Sequence, residues 1–274
     1  MNNRVLVNGQ EQDYVAVYDR GLQFGDGVFE TIAINCGKPL LWDQHMERLL
    51  HGCRTLQIRF NDASLLQDEV ERLIKSANNA VLKIIITRGI TERGYAIRGE
   101  PTPGRILMLS AWPDYTTDYY KKGVDVCLCR TSLGKQSVLA GIKHLNRLEQ
   151  VLARAEWDTE YQEGLMCNEH GCVIEGTMSN LFLVEGDALV TPQLDDCGVK
   201  GIVRQVVIEY AKKQNIPFQE DVIPLTRLQQ ADALFLTNSL IGIWPVRRLE
   251  RREYPPSELI TTLQSLIKDV CTRT

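Results

Sequence analysis

Apolar runs punctuated by glycine, asparagine and proline divide the chain into short strands and amphipathic helices. Arg4–Val7 followed by Asn8-Gly9 predicts a strand entering a tight turn, with residues 14–17 as its return. Residues 28–34 predict a strand that follows the glycine-rich turn Gln23-Phe24-Gly25-Asp26-Gly27 and ends at Cys36-Gly37-Lys38-Pro39. Asp43 is placed to cap a helix whose inward side carries Met46, Leu49, Leu50, Cys53 and Leu56, with Arg48 on its flank. Asp62 opens a second, with Leu65, Leu66, Val70, Leu73 and Ile74 inward. Residues 81–87 and 105–112 predict two further strands, so residues 1–113 read as a small α+β domain.

The polar, turn-rich stretch 114–120 is the expected linker, and 121–274 the larger second domain. There, a strand is expected at 124–129, and strands at 163–168, 172–175, 180–184 and 188–190 are expected to form antiparallel sheet. Gly201 opens a helix with Ile202, Val203, Val206, Val207 and Tyr210 on its apolar face. A strand at 217–223, a short helix capped by Thr226, a strand at 233–236 entering Thr237-Asn238-Ser239, and a last helix at 258–270 complete the reading. Leu145, Leu148, Val151, Leu152 and Ala155 also recur at helical spacing, which puts Lys143 just before a buried helical face.

With 274 residues, 44% of them hydrophobic, the chain is long enough for two cores. A net charge of -4, from 31 basic and 35 acidic residues spread along the chain, offers no electrostatic footprint for nucleic acid or an anionic membrane. The start Met1-Asn2-Asn3-Arg4-Val5-Leu6 turns polar too soon for a signal peptide, and no apolar run approaches the ~20 residues of a membrane span, so the protein reads as cytoplasmic. Eight cysteines without a C-x-x-C pair, and histidines 45, 51, 144 and 170 without ligand spacing, read as reduced, mostly buried thiols and no metal site.

Four features carry candidate chemistry. Lys143, behind the small pair Ala140-Gly141, is placed for a desolvated amine, although most lysines at helix starts are solvated charges. Glu175 stands where a strand meets the small-residue turn Gly176-Thr177-Met178-Ser179, a place that ordinary turns also give to acids. The helix start at Gly201-Ile202-Val203 and the segment Thr237-Asn238-Ser239 each offer donors to a phosphate. Arg48 could add a bidentate guanidinium, or be a solvated helix face. An amine, a carboxylate and two amide-rich seats meet the needs of pyridoxal phosphate: an aldehyde to bind, a pyridine nitrogen to keep protonated, a phosphate to anchor.

The wording of residues 140–151, Gln23-Phe24-Gly25-Asp26-Gly27, Arg93-Gly94-Tyr95 and residues 175–182 resembles the branched-chain/D-amino-acid aminotransferase-like family of pyridoxal-phosphate enzymes, fold type IV, over nearly the whole chain. Within it, the lysine segment is similar to that of bacterial lyases acting on 4-amino-4-deoxychorismate. The resemblance implies a two-domain α+β fold, a small α/β N-terminal domain and a larger pseudo-barrel C-terminal one, with pyridoxal 5'-phosphate as cofactor. It implies a homodimer with sites near the interface. Lys143 is then the Schiff-base lysine, Glu175 the partner of the pyridine nitrogen, and Arg48, Ile202, Val203 and Ser239 the phosphate seat, with Ile202 and Val203 acting through backbone amides and Asn238 a further cofactor contact. Thr31 and Asn238 fall where such lyases place substrate-side groups, and Arg93 and Tyr95 where family members handle a substrate carboxylate. The implied reaction yields 4-aminobenzoate, a folate precursor, and pyruvate. The alternative is an amino-acid aminotransferase of D-amino-acid or branched-chain type. Leu240-Ile241-Gly242, where transaminases commonly carry an acid, favours the lyase; Glu30 is what a transaminase would carry.

Overall fold

The computed structural model describes residues 4–273, without the side chains of 271–273, so the expectations for residues 1–3 and for Cys271 lie outside the described residues. The chain forms two compact units, one of the residues up to Pro113 with Ile142–Asn146, the other of Asp114–Gly141 with Arg147–Arg273. Ile142–Asn146, expected inside the second domain, thus packs with the first. The chain leaves the second unit after Gly141 and returns to it at Arg147.

The first unit holds β1 (Arg4–Val7), β2 (Gln10–Glu11), α1 (Arg20–Phe24), β3 (Gly27–Asn35), β4 (Lys38–Pro39), α2 (Trp42–Thr55), α3 (Ala63–Ile74), β5 (Asn79–Thr87) and β6 (Gly104–Ala111). Its strands form one sheet in the order β2-β1-β6-β5-β3-β4, each pair antiparallel. The expected hairpin return at 14–17 is corrected. Asn8 and Gly9 both take positive φ, a turn that sends the chain back at once as β2, and leaves Tyr14 69% and Val17 67% exposed. The glycine-rich turn at 23–27 is also more ordered than expected. Asp19 caps α1 by accepting from the Gly21 amide at 2.7 Å, and Gly25, at φ 65°, ends it. Five residues are too few to show a helical period.

Alternation along β3 sets up the first unit's chemistry. Val28, Ile32 and Ile34 join Leu49 and Cys53 of α2 and Leu66, Val70 and Leu73 of α3 in one core. Glu30 occupies a position of the same face, while Phe29 and Thr31 point the other way. Truncating a core residue such as Leu49 to alanine would cost about 2–5 kcal/mol.

The second unit contains α4 (Asp118–Lys121), β7 (Val124–Leu128), α5 (Leu148–Arg154), β8 (Glu163–Cys167), β9 (Val173–Gly176), β10 (Asn180–Glu185), β11 (Ala188–Pro192), α6 (Ile202–Lys213), β12 (Phe218–Asp221), α7 (Leu225–Gln230), β13 (Ala233–Asn238), β14 (Gly242–Leu249), β15 (Arg252–Glu253) and α8 (Glu258–Arg273). The sheet runs β12-β11-β10-β13-β14-β7-β8-β9, with β15 on β14, and curls so that β9 comes back against β10 and β11. The antiparallel pairing expected among residues 163–190 is found in β8–β9 and β10–β11, within a sheet that is mixed overall because β11–β12, β14–β7 and β7–β8 are parallel pairs. Both its faces are covered. Phe182 and Val184 of β10 pack with α6 and α8, while Leu181 and Leu183 turn to a second core around Trp244, which explains the unbroken apolar run of that strand.

β14 has no counterpart in the sequence reading, since Pro245 interrupts its pattern. The proline is accommodated because pairing with β7 begins only at Val246. Residues 114–120 carry α4, with Tyr115 and Tyr119 set edge-on against Trp244 at 4.9 and 5.2 Å. The buried face expected after Lys143 is overturned as well. α5 starts at Leu148, five residues past the lysine, and Leu148, Val151 and Leu152 are 75%, 60% and 60% exposed. Among the described cysteines only Cys53, Cys127 and Cys197 are buried, fewer than expected.

Candidate active site

In the first unit, Ile142–Asn146 lies along the start of β3 like a short extra strand. The Phe29 amide donates to the Lys143 carbonyl at 2.9 Å, the Leu145 amide to the Gly27 carbonyl at 3.0 Å, and Val28 bridges His144. Lys143 is therefore held in extended backbone rather than at a helix start. Its Nζ stands 4.5 Å from the centre of the Phe29 ring, a cation–π contact on the β3 face that also carries Thr31. Gly27 admits no side chain here, since a Cβ would press on the Ile86 carbonyl and on Leu145.

On the opposite face of β3, Glu30 is fully buried and grips α2. Arg48 donates from Nε to Glu30 Oε1 at 2.8 Å and from Nη2 to Oε2 at 2.6 Å, a fork-to-carboxylate pair. His45 Nδ1 lies 2.6 Å from Glu30 Oε2. Burial pushes the Glu30 carboxyl up, but Arg48 and His45 outweigh it and hold it at about 2. Burial, helped by Arg48 and Lys143, keeps the His45 imidazole below its usual range despite Glu30. A neutral His45 then donates its Nδ1–H to the carboxylate. Arg48, foreseen as either an anion ligand or a solvated face, is only 11% exposed and has its orientation fixed from behind.

In the second unit, Glu175 sits at the end of β9, 4% exposed. Its Oε2 accepts from the Val199 amide at 2.8 Å and from Asn180 Nδ2 at 3.5 Å, and Asn180 also donates to the Val199 carbonyl at 2.8 Å. Gly141, at φ 83°, is stitched to the same stretch, its amide donating to Gly198 and its carbonyl accepting from Lys200. Arg147 lies near Glu175. Burial lowers its guanidinium pKa, and Glu175 and Glu149 only partly restore it.

The start of α6 follows directly. Gly201 is its N-cap and supplies no side chain, so the first-turn amides of Ile202 and Val203 receive no side-chain cap. A Cβ at Gly201 would collide with the Oδ1 of buried Asn180, so a side chain here would displace the group that donates to the Val199 carbonyl. At the end of β13, Asn238 Oδ1 accepts from the amides of Leu240 and Ile241 at 2.8 and 2.9 Å, and its Nδ2 donates to the Met178 carbonyl at 3.1 Å. This turn holds Ser239. Thr237 Oγ1, two residues earlier, is buried without a hydrogen-bond partner.

The family profile described as amino-transferase class IV matches residues 27–249. The chain belongs to this class IV family. It is 38% identical over 263 residues to an aminodeoxychorismate lyase of Vibrio harveyi, covering 94% of this chain and 97% of that protein. It superposes on the crystal structure of 4-amino-4-deoxychorismate lyase from Pseudomonas aeruginosa with a TM-score of 0.93 and 44% identity, covering 97% of this chain and 98% of the other. The Escherichia coli branched-chain amino acid aminotransferase, 21% identical at a TM-score of 0.83 over 98% of this chain and 94% of its own, shares the fold. The α+β, two-unit architecture with its curled mixed sheet is the fold type IV arrangement.

Other residues singled out in the class IV chain stand elsewhere in their units. Arg93 and Tyr95 lie on an exposed loop of the first unit, and Tyr95, 83% exposed, keeps its ring 5.3 Å from Phe24. The loop is anchored by buried Arg20, whose Nη1 and Nη2 donate to the carbonyls of Gly94 and Tyr95 at 2.8 and 3.2 Å. Sequence reasoning missed Phe29, His45, Asn180 and Glu163. For His45 and Glu30 a signal existed: Glu30 interrupts the inward apolar series 28, 32, 34, and a charge at a core position calls for a partner.

Proposed function

We propose that the protein is a pyridoxal-phosphate-dependent lyase that converts 4-amino-4-deoxychorismate to 4-aminobenzoate and pyruvate, a step toward folate. The observation that carries this reading is the full-length likeness to lyases of that name, 44% identical at a TM-score of 0.93 in one case, in a chain whose Lys143 is fixed over Phe29. The donor set suits the cofactor. Arg48 and the Ile202 and Val203 amides, with Ser239 and Asn238, suit a phosphate, and a carboxylate held by amides, Glu175, suits a protonated pyridine nitrogen. When bound, the cofactor supplies an electron sink for the carbon that bears the substrate amine.

In this reading Lys143 is both the covalent attachment point and the base. Its amine removes the proton from the amine-bearing ring carbon. The neighbouring ether bond then breaks, its electron pair leaves with enolpyruvate, and a proton converts enolpyruvate to pyruvate as the ring becomes aromatic. Thr31, on the Phe29 face of β3, is the hydroxyl assigned to orient the leaving group or relay that proton. Arg93 and Tyr95 are assigned to the substrate carboxylates, and Asn238 is assigned to the substrate as well.

Glu30 no longer argues for an amino-acid aminotransferase, because its carboxylate is committed to Arg48 and His45. A homodimer is part of the proposal, supported by the apolar side chains that α5 exposes. A cytoplasmic setting is proposed as well; no described helix is long and apolar enough to cross a membrane. Incubating the pure protein with aminodeoxychorismate, and separately with alanine or a branched-chain amino acid plus 2-oxoglutarate, tests the reading. Release of 4-aminobenzoate in the first mixture alone is the expected result.

A further inference from the structure

Glu163, the first residue of β8, is 1% exposed and takes no part in the chemistry described above. A lone buried carboxylate is costly, and this one is surrounded by five donors rather than by a cation. Oε1 accepts from the Gly164 amide at 3.0 Å, the Thr177 amide at 3.1 Å and Thr177 Oγ1 at 2.5 Å. Oε2 accepts from the Met178 amide at 3.2 Å and Ser179 Oγ at 2.8 Å. Three of the donor residues, Thr177, Met178 and Ser179, form the turn between Glu175 and Asn180. Backbone approaches the carboxylate so closely at Gly176 that a Cβ there would lie 2.8 Å from Oε2.

The turn has two ends. Glu175 is also held by its pairing with Met166 and by the Val199 amide. The Asn238 turn lies next to the ladder pair Asn180–Thr237, and its side chain is tied to this segment by the bond from Asn238 Nδ2 to the Met178 carbonyl, while Asn238 Oδ1 sets the amides of Leu240 and Ile241. Loosening the 177–179 turn therefore shifts the Met178 carbonyl, and with it the Asn238 side chain that orders the 238–241 turn.

We propose that Glu163 is a positioning residue that sets the phosphate side of the cofactor seat, acting through Met178 and Asn238. This rests on the pyridoxal-phosphate reading. Glu163 shapes the 177–179 turn, whose Met178 carbonyl orients Asn238 beside Ser239, and contributes nothing to binding of the ring. Burial, outweighing Thr177, Ser179 and the amides, raises its carboxyl above the usual range, so an amide is a tolerable stand-in. Glutamine at 163 can keep the Thr177 contacts and let the Ser179 hydroxyl reverse, losing chiefly the Met178 amide.

The test is binding of pyridoxal 5'-phosphate and of phosphate-free pyridoxal to the apoprotein, by absorbance titration, for wild type, E163Q and E163A. The expected result is a drop in the preference for the phosphorylated form of threefold or more in E163Q and about tenfold in E163A, with pyridoxal affinity changed less than threefold. If E163A does not fold, E163Q decides. An unchanged preference in E163Q, or equal losses for both ligands, overturns the inference while leaving the cofactor reading intact. A wild-type protein that binds neither ligand overturns that reading and this inference with it.

Discussion

Glu30 and Glu175 are both buried acids, 0% and 4% exposed, and they are held in opposite ways. Glu30 is ringed by a guanidinium and an imidazole, so its charge is spent inside the first unit on fixing Arg48. Glu175 accepts from a backbone amide and a side-chain amide in the second unit, with the Arg147 guanidinium nearby. The two amides orient the carboxylate, which suits a group assigned to face a ligand cation. In the proposed reading the contrast separates an acid that orients a binding group, Arg48, from an acid assigned to bind directly, and Lys143, on the far face of the Glu30 strand, is assigned with the second kind.

The largest effect is expected where the chemistry itself is removed. Lys143→Ala should lower turnover by at least about three orders of magnitude and abolish the borohydride-trappable link. Mapping the reduced pyridoxyl group of the wild type to another lysine would remove Lys143 from its role. Glu175→Gln keeps the shape and both amide contacts nearly in place. It should cost about 10²–10³-fold in kcat with cofactor retention unchanged, and near wild-type turnover would show that the charge is not used. Glu30→Gln should reverse that pattern. Loss of a charged partner for Arg48, worth about 1.5–3 kcal/mol, is expected to raise the cofactor dissociation constant about 10- to 100-fold, with activity recovering at added cofactor. Undiminished retention in both Glu30→Gln and Arg48→Ala would return Arg48 to a structural role.

The smallest effect is on acid stability. The Glu30 carboxyl is held at about 2 against an ordinary 4.5, so its contribution is complete above about pH 4.5 and is lost as the pH falls toward 2. The imidazole of His45 is also held down, below its ordinary 6.5, so stability drains further as the pH falls below that value and the unfolded chain takes up the proton first. In Glu30→Gln the slope of unfolding free energy with pH between 4.5 and 2 should shrink by about 1.4 kcal/mol per pH unit, one proton's worth. An unchanged slope in urea titrations would place the acid-sensitive group elsewhere.

Much of this was legible in the chain, for identifiable reasons. The helices α2, α3, α6 and α8 show a full 3.6-residue period, and strands such as β3 and β10 carry uninterrupted or alternating apolar residues bounded by glycine and polar turns. What stayed hidden was short, interrupted or long-range. Pro245 masked β14, and a two-residue turn hid β2. The helical spacing after Lys143 was real, but its apolar side is exposed in the chain, because periodicity reports a face and not what covers it. Arg48 was singled out while its grip by Glu30 and His45 was not, since partners that meet across a strand and a helix leave no spacing to read. Glu163 gave no sign at all beyond being an acid at the head of a strand.

The central claim is that the protein eliminates rather than transaminates. Elimination needs no acceptor, whereas transamination needs an oxo acid in every cycle. Pure protein given aminodeoxychorismate alone should release 4-aminobenzoate and pyruvate in equal amounts over many turnovers, with 2-oxoglutarate making no difference. Arrest after a single turnover until 2-oxoglutarate is supplied, or no reaction with aminodeoxychorismate alongside conversion of alanine, would contradict it.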